Sequence, residues 1–160
     1  MLGLIQKNIN PIEFLYIKQN IIIGVIEMIK VFKKSYSKWH EIKVINFETG
    51  EVTQYNQSLS MGFPFGKPYI TNYKEMGYKS LNECIKELKK RNFLGSEIDY
   101  KHQKESEKIG YIKLGIQRIK ECNRVNTTDF EDVIEKLKAY GLNYVDAQNQ
   151  IIESYLQEIS

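Results

Sequence analysis

The pattern of apolar residues changes near Ser80, and this change limits the folds that the chain can adopt. Before it, four short segments rich in β-branched and aromatic residues predict strands: Met28 to Phe32, His40 to Phe47, Val52 to Asn56 and Tyr69 to Tyr73. After it, apolar residues recur every three or four positions, which predicts amphipathic helices. We therefore expect an α+β fold, in which a small antiparallel sheet of about three or four strands precedes about four helices.

Polar residues mark where three of these helices begin. Ser80 with Glu83 and Thr128 with Glu131 form capping boxes, in which a hydroxyl accepts a hydrogen bond from a first-turn amide. Asn143 is placed to cap the last helix, and the last three helices are expected to form a bundle-like part. The residues predicted to face the core are Leu81, Cys84, Ile85, Leu88, Ile109, Ile112, Ile116, Ile119, Cys122, Phe130, Val133, Ile134, Leu137, Val145, Ile152, Tyr155, Leu156 and Ile159.

Residues 1–27 form an apolar segment ahead of the first strand. Asn10 and Pro11 look like a helix start, and polar residues then recur every seven positions, so one prediction is an apolar helix over residues 11–34. Such a helix would pair two copies of the chain in a homodimer or lie on a membrane surface. Three charged residues interrupt it too early for a membrane span: Lys18, Glu27 and Lys30.

The same segment has a second interpretation. Codons for Gly24 to Met28 can contain a ribosome-binding sequence a few bases before the Met28 codon. Under this hypothesis, Met28 is the native first residue and residues 1–27 are translated leader.

Charge divides the chain into a basic first part and an acidic second part. Residues 28–104 carry 14 Lys or Arg against 8 Asp or Glu, whereas residues 105–160 carry 7 against 10. We expect a basic β part with one helix over residues 28–100 and an acidic helical part over residues 101–160, as two domains or as one. The polar segment of residues 96–107 is either a linker or the exposed start of one long helix.

The choice of residues indicates a source and a compartment. The chain has 22 Ile, 20 Lys and 12 Asn but only two Ala, and the three abundant residues have AT-rich codons. We therefore expect a bacterium of low GC content, or one of its phages or mobile elements. Cys84 and Cys122 give no disulfide framework and the N-terminus lacks the features of a secretory signal, which predicts the cytoplasm.

The familiar catalytic patterns do not fit this sequence. Gly62 to Pro68 has the glycines and lysine of a phosphate-binding loop, but it is one residue too short and has proline where the metal-binding hydroxyl belongs. His40 and His102 lack the paired spacing of a zinc site, and no Gly-x-Ser-x-Gly elbow occurs. The carboxylates of Asp129, Glu131 and Asp132 suit the first turn of a helix. We therefore expect no catalytic residues, no metal and no cofactor.

Nine of the nineteen aromatic residues lie between Tyr36 and Tyr78, interleaved with lysines. Rings beside positive charge suit single-stranded nucleic acid, nucleotides and acidic protein surfaces, although a sheet with one buried face is also rich in Tyr and Phe. The rings of Phe63 and Phe65 either pack under their loop or stand out from it. The candidate residues for binding nucleic acid or a partner are Lys33, Lys34, Lys38, Trp39, Phe63, Phe65, Lys67, Tyr69, Lys86, Lys89, Lys90 and Arg91.

We expect a small non-catalytic protein that engages nucleic acid or a nucleotide through this basic, aromatic surface. The alternative is a phage-type inhibitor or adaptor whose acidic helices block a host nucleic-acid-handling or defence enzyme, and an enzyme of unrecognised type comes third. A continuous positive surface that contains Trp39, Phe65 or Tyr69 would favour the first function. A flat acidic or apolar patch on residues 129–159 would favour the second.

Overall fold

The computed structural model describes residues 28–160, and for residues 96–99 the backbone alone. This part of the chain contains five strands and four α-helices, so the predicted α+β fold is confirmed. The strands are β1 (Ile29–Ser35), β2 (Trp39–Asn46), β3 (Glu51–Ser58), β4 (Pro64–Asn72) and β5 (Leu94–Asp99). The helices are α1 (Leu81–Lys90), α2 (Tyr100–Cys122), α3 (Glu131–Lys138) and α4 (Tyr144–Ile159), and a short 3₁₀ helix spans Thr127–Phe130.

All five strands form one antiparallel sheet in the order β4-β3-β2-β1-β5. The first four strands follow one another as a meander, and β5 returns to the free edge of β1 after helix α1. Because successive side chains of a strand point to opposite sides, the two sides of the sheet carry different residues. We call them the α1 side and the α2 side, after the helices that pack on them.

Helix α1 covers only part of its side of the sheet. The helix begins as predicted, because the Ser80 hydroxyl accepts a hydrogen bond from the Glu83 amide at 3.2 Å. Its buried Cys84 and Leu88 form a core cluster with Phe32 of β1 and Ile45 of β2. The sheet residues nearer the β1–β2 turn lie beyond the helix and are partly exposed.

Helices α2, α3 and α4 form a three-helix layer on the α2 side. Asn143 caps α4 as predicted, by accepting a hydrogen bond from the Asp146 amide at 2.8 Å. Gly115 of α2 lets α4 approach closely, since a Cβ there would lie 2.8 Å from the Ile151 side chain. The buried residues of this layer are Tyr111, Ile119, Phe130, Val133, Ile134, Leu137, Ala147 and Ile151.

Three local features differ from what the sequence predicted. Residues 29–35 form β1, so no helix extends over residues 29–34, while the rest of the predicted helix and the translated-leader hypothesis lie outside the described residues. Strand β5 was not predicted, because its short polar sequence becomes a strand only through pairing with β1. Residues 96–107 form the end of β5 and the start of α2, so the start of one long helix is confirmed from Tyr100 onward, although its Gln103 and Glu107 are buried rather than exposed.

The second capping box is also wrong. Asn126, rather than Thr128, is the cap, and its side chain accepts a hydrogen bond from the Thr128 amide at 3.1 Å. This cap begins the 3₁₀ helix, and α3 continues from Phe130 with no side-chain cap of its own.

The predicted buried face of α4 is correct only in part, since Ile152 and Tyr155 pack against the core as expected. Ala147 and Ile151 face the core, whereas Val145, Leu156 and Ile159 are exposed. The small Ala147 side chain allows α4 to pack closely against the other helices of the layer. The apolar stripe that contains Ala147 and Ile151 is therefore buried, and the stripe of Val145, Leu156 and Ile159 is not. In α2, Ile109 and Cys122 are likewise exposed instead of buried.

Candidate nucleic-acid interface

The part of the α1 side that α1 leaves open is rich in cations and rings. Lys34 pairs across the sheet with Glu41, and Lys43 stands in the row that runs from Phe32 to Gln54 and Tyr69. Residues paired in this way point to the same side of a sheet. We call this surface the basic aromatic face and define it by Lys34, Tyr36, Trp39, Lys43, Phe65 and Tyr69.

The β1–β2 turn brings two rings of this face together. The turn closes with a hydrogen bond from the Tyr36 amide to the Trp39 carbonyl at 2.8 Å. The two rings then stack with centroids 5.2 Å apart and planes 20° from parallel. The Lys34 amine lies 5.5 Å from the Tyr36 ring centroid and 5.8 Å from that of Phe93. Lys34 therefore places a positive charge next to the stacked rings.

Lys43 lies at the centre of the face and is mostly buried. Its amine donates a hydrogen bond to the Gln54 side chain, and lies 3.8 Å from the Glu41 carboxylate and 5.6 Å from the centroid of the Phe93 ring. Burial lowers the pKa of Lys43; Glu41 opposes this shift and nearby Arg91 adds to it. Because Gln54 and Glu41 satisfy its buried amine, Lys43 supports this part of the sheet from beneath the exposed rings.

The edge strand β4 supplies the exposed rings. Tyr69 is 64% exposed and Phe65 is 41% exposed. Between them the register with β3 shifts, so that Gly66, Lys67 and Pro68 form a bulge at the free edge of the sheet. Gly66 suits this bulge because its φ is +78°. The bulge leaves Lys67 exposed beside the rings.

The structure brings some of the predicted residues together and separates others. Lys38 lies in the β1–β2 turn next to Trp39, and Arg91 ends α1 close to Lys43. The predicted residues that gather on or beside the basic aromatic face are Lys34, Lys38, Trp39, Phe65, Lys67, Tyr69 and Arg91. Sequence reasoning missed Tyr36 and Lys43. Tyr36 is two residues after Lys34, and Lys43 is four residues after Trp39, so the alternation of side chains along an extended chain could have indicated both.

The remaining candidates lie elsewhere. Lys33 is adjacent to Lys34 in β1 and therefore points to the α2 side. Phe63 packs under its turn, with its ring 5.9 Å from that of Tyr111 in α2. The exposed positions of α1, away from the sheet, hold Lys86, Lys89 and Lys90.

The α2 side holds a buried polar network that the sequence did not reveal. Glu107 of α2 is fully buried, and accepts hydrogen bonds from the hydroxyl groups of Tyr55 and Tyr140, the latter at 2.7 Å. The Gln103 amide donates to it at 2.8 Å, and the Lys104 amine lies 3.8 Å away. The spacing of Gln103, Glu107 and Tyr111 continues the buried stripe of α2, and is the signal that could have indicated this network.

The network ties three elements together electrostatically. Burial raises the pKa of Tyr55 and of Tyr140, and the Glu107 carboxylate raises both further. Both phenols therefore stay protonated and keep donating to the carboxylate. Because Tyr55 is in β3, Glu107 in α2 and Tyr140 just after α3, the network fixes the helical layer on the sheet.

Three further findings bear on function. Within residues 28–160, no group of three or more His, Cys, Asp or Glu side chains is placed to hold a metal ion. In the same part of the chain, none of the helices combines the length and apolar character needed to cross a membrane. Comparison of the chain with protein families, with curated proteins and with solved structures found no match.

Proposed function

We propose that this is a non-catalytic protein that binds single-stranded nucleic acid through the basic aromatic face. The observation that carries the proposal is the Tyr36–Trp39 stack beside the Lys34 amine on an open side of the sheet. Exposed rings stack with bases of any sequence, and neighbouring cations follow the phosphates.

Single strands suit this surface better than duplexes do. Stacking on Tyr36, Trp39 or Tyr69 requires an unstacked base, which a duplex does not offer. The cations that border the rings, namely Lys34, Lys38, Lys67 and Arg91, form a track for the strand's phosphates. Glu41 also lies in this area, where Lys43 and the Tyr36 hydroxyl hold its carboxylate.

A bacterial or phage cytoplasm is the proposed setting. Cys84 is buried and Cys122 is exposed, and both are free thiols. An exposed free thiol suits a reducing compartment such as the cytoplasm. The abundance of Ile, Lys and Asn suits a bacterium of low GC content or its phage.

The test is a titration of fluorescently labelled single-stranded DNA, RNA and duplex DNA with the protein, over a salt series up to physiological strength. We expect the single strands to bind more tightly than the duplex, with log affinity falling linearly with log salt concentration. Association that is weak and confined to low salt would contradict the proposal.

A second candidate function is inhibition or adaptor binding through α4. Val145, Leu156 and Ile159 form an exposed apolar stripe, and α4 carries Asp146, Glu153 and Glu158 but no Lys or Arg. Such a stripe suits a basic, apolar protein partner. Failure of the strand-binding titration would favour this function.

A further inference from the structure

A groove of about 460 Å³ opens on the α2 side of the sheet, and Phe65 lies at the edge between it and the basic aromatic face. It lies between the β3–β4 turn with the start of β4 on one side and helices α2 and α3 on the other. Its volume is in the range that suits one small ligand. The residues that give it its chemistry are Tyr55, Phe63, Lys104, Tyr111, Lys136 and Tyr140.

A close contact between backbones fixes one wall of the groove. Gly110 of α2 lies directly under the β3–β4 turn, since a Cβ there would come within 2.4 Å of the Phe63 amide nitrogen. The Gln57 side chain also donates to the Gly62 carbonyl at 2.8 Å. The Phe63 ring is therefore held in place before any ligand arrives.

Three rings form a continuous apolar wall. Phe63 stacks on Tyr111 with centroids 5.9 Å apart, and Tyr111 contacts Tyr140 at 5.6 Å with the planes tilted by 58°. A wall of fixed rings favours a flat aromatic ligand, which gains contact area without ordering the protein further.

Hydrogen-bond acceptors lie beside this wall. The hydroxyl groups of Tyr55 and Tyr140 both donate their protons to Glu107, so toward a ligand their oxygens act only as hydrogen-bond acceptors. Burial and Glu107 raise the pKa of both phenols, which keeps them neutral. The ligand edge that fits has N–H donors, as an exocyclic amine of a nucleobase does.

Cations stand at the rim. The Lys104 amine lies 5.3 Å from the Tyr140 ring centroid, and Lys136 is exposed on α3. Asp132 also lines the groove, but Arg118 holds its carboxylate through two hydrogen bonds of 3.1 and 3.0 Å. Glu107 also lines the groove, but its carboxylate accepts hydrogen bonds from Tyr55, Tyr140 and Gln103 and lies 3.8 Å from the Lys104 amine. An anionic group such as phosphate would therefore meet the charge of Lys136 and share that of Lys104 with Glu107.

We propose that this groove binds one nucleotide, with its base against Phe63, Tyr111 and Tyr140 and its phosphate at Lys104 and Lys136. An amino-bearing base fits best, because its amine meets the phenol oxygens of Tyr55 and Tyr140. This site goes beyond strand binding by the basic aromatic face, and would hold its nucleotide whether or not that face binds a strand.

Calorimetric titration of the full chain with adenosine 5′-monophosphate tests the site, and amide NMR shifts locate it. We expect saturable binding, with shifts concentrated at Phe63 and at residues 136–140. Purine riboside 5′-monophosphate lacks only the amine and should bind about three- to tenfold more weakly, the worth of one neutral hydrogen bond. Inorganic phosphate alone should bind more weakly still.

Matched variants separate this site from the basic aromatic face. Lys136→Ala should weaken binding about three- to tenfold, whereas Lys138→Ala on the same helix, whose amine pairs with Glu135, should not. Ala139→Trp should fill the groove and abolish mononucleotide binding, while single-stranded DNA still binds. No saturable binding, equal binding of inorganic phosphate, or loss of mononucleotide binding in Trp39→Ala would each overturn the proposal.

Discussion

The two sides of the sheet carry similar kinds of residue, polar and aromatic, but arrange them differently. On the α2 side, Glu107 is buried among the phenols of Tyr55 and Tyr140, and protein groups satisfy its hydrogen bonds. On the open part of the α1 side, the rings of Phe65 and Tyr69 remain exposed beside cations. The buried cluster, whose hydrogen bonds are satisfied, therefore serves stability, whereas exposed rings beside charged groups are suited to binding.

Removal of the Glu107 carboxylate should produce the largest effect and would test the closed side. Glu107→Ala leaves the Tyr55, Gln103 and Tyr140 donors without their acceptor, so we expect a loss of about 3 to 5 kcal/mol in the free energy of unfolding. Urea denaturation measures it. Glu105→Ala is the control, since Glu105 is exposed on the same helix. Equal losses in the two variants would show that the network does not hold the layers together.

Removal of the Trp39 ring should have a smaller effect, and on binding instead of stability. Trp39→Ala should cost about 1 to 3 kcal/mol in the affinity for single-stranded DNA, the worth of one base stacked on a ring. Trp39→Phe keeps a stacking surface and should retain most of the affinity. Strand binding that is unaffected by Trp39→Ala would remove the open side as the interface.

The titration of His40 should give the smallest effect. Burial lowers the pKa of His40 below its ordinary value of 6.5, and nearby Lys33 acts in the same direction. The unfolded chain therefore takes up the proton first, so the stability due to neutral His40 is complete above about pH 6.5 and is lost as the pH falls through the folded pKa. Because the ring is partly exposed, solvent screening keeps the effect small.

NMR titration of the His40 ring checks this sign directly. We also expect wild type to lose slightly more stability than His40→Gln between about pH 7 and about pH 5. A His40 pKa above 6.5 would mean that its surroundings favour the charged form, contrary to its place on the α2 side.

Capping residues and apolar periodicity predicted the features that depend on residues close together in the sequence. The Ser80 and Asn143 caps and the buried stripe around Leu137 are confirmed, because capping and period act within one or two turns of helix. Strand β5 escaped prediction because it depends on pairing with β1, some 60 residues earlier in the chain.

The candidate site was only partly predictable for a related reason. Residue types identified Trp39 and Tyr69, but the side of the sheet that each residue faces depends on register. The buried Glu107 looked like an ordinary exposed helix residue, because its partners Tyr55 and Tyr140 are distant in sequence. Exposed Leu156 looked like core, since α4 has two apolar stripes and only packing chooses between them.

Lys33 and Lys34 allow a direct test of strand binding through the basic aromatic face. They are adjacent in β1 and identical in charge, but lie on opposite sides of the sheet. The measurement is the dependence of single-stranded DNA affinity on salt for wild type, Lys33→Met and Lys34→Met, with urea denaturation to confirm folding. We predict that Lys34→Met lowers the slope of log affinity against log salt by about 1 and that Lys33→Met leaves it unchanged. Equal slopes in the two variants, or a loss confined to Lys33→Met, would contradict binding through the basic aromatic face.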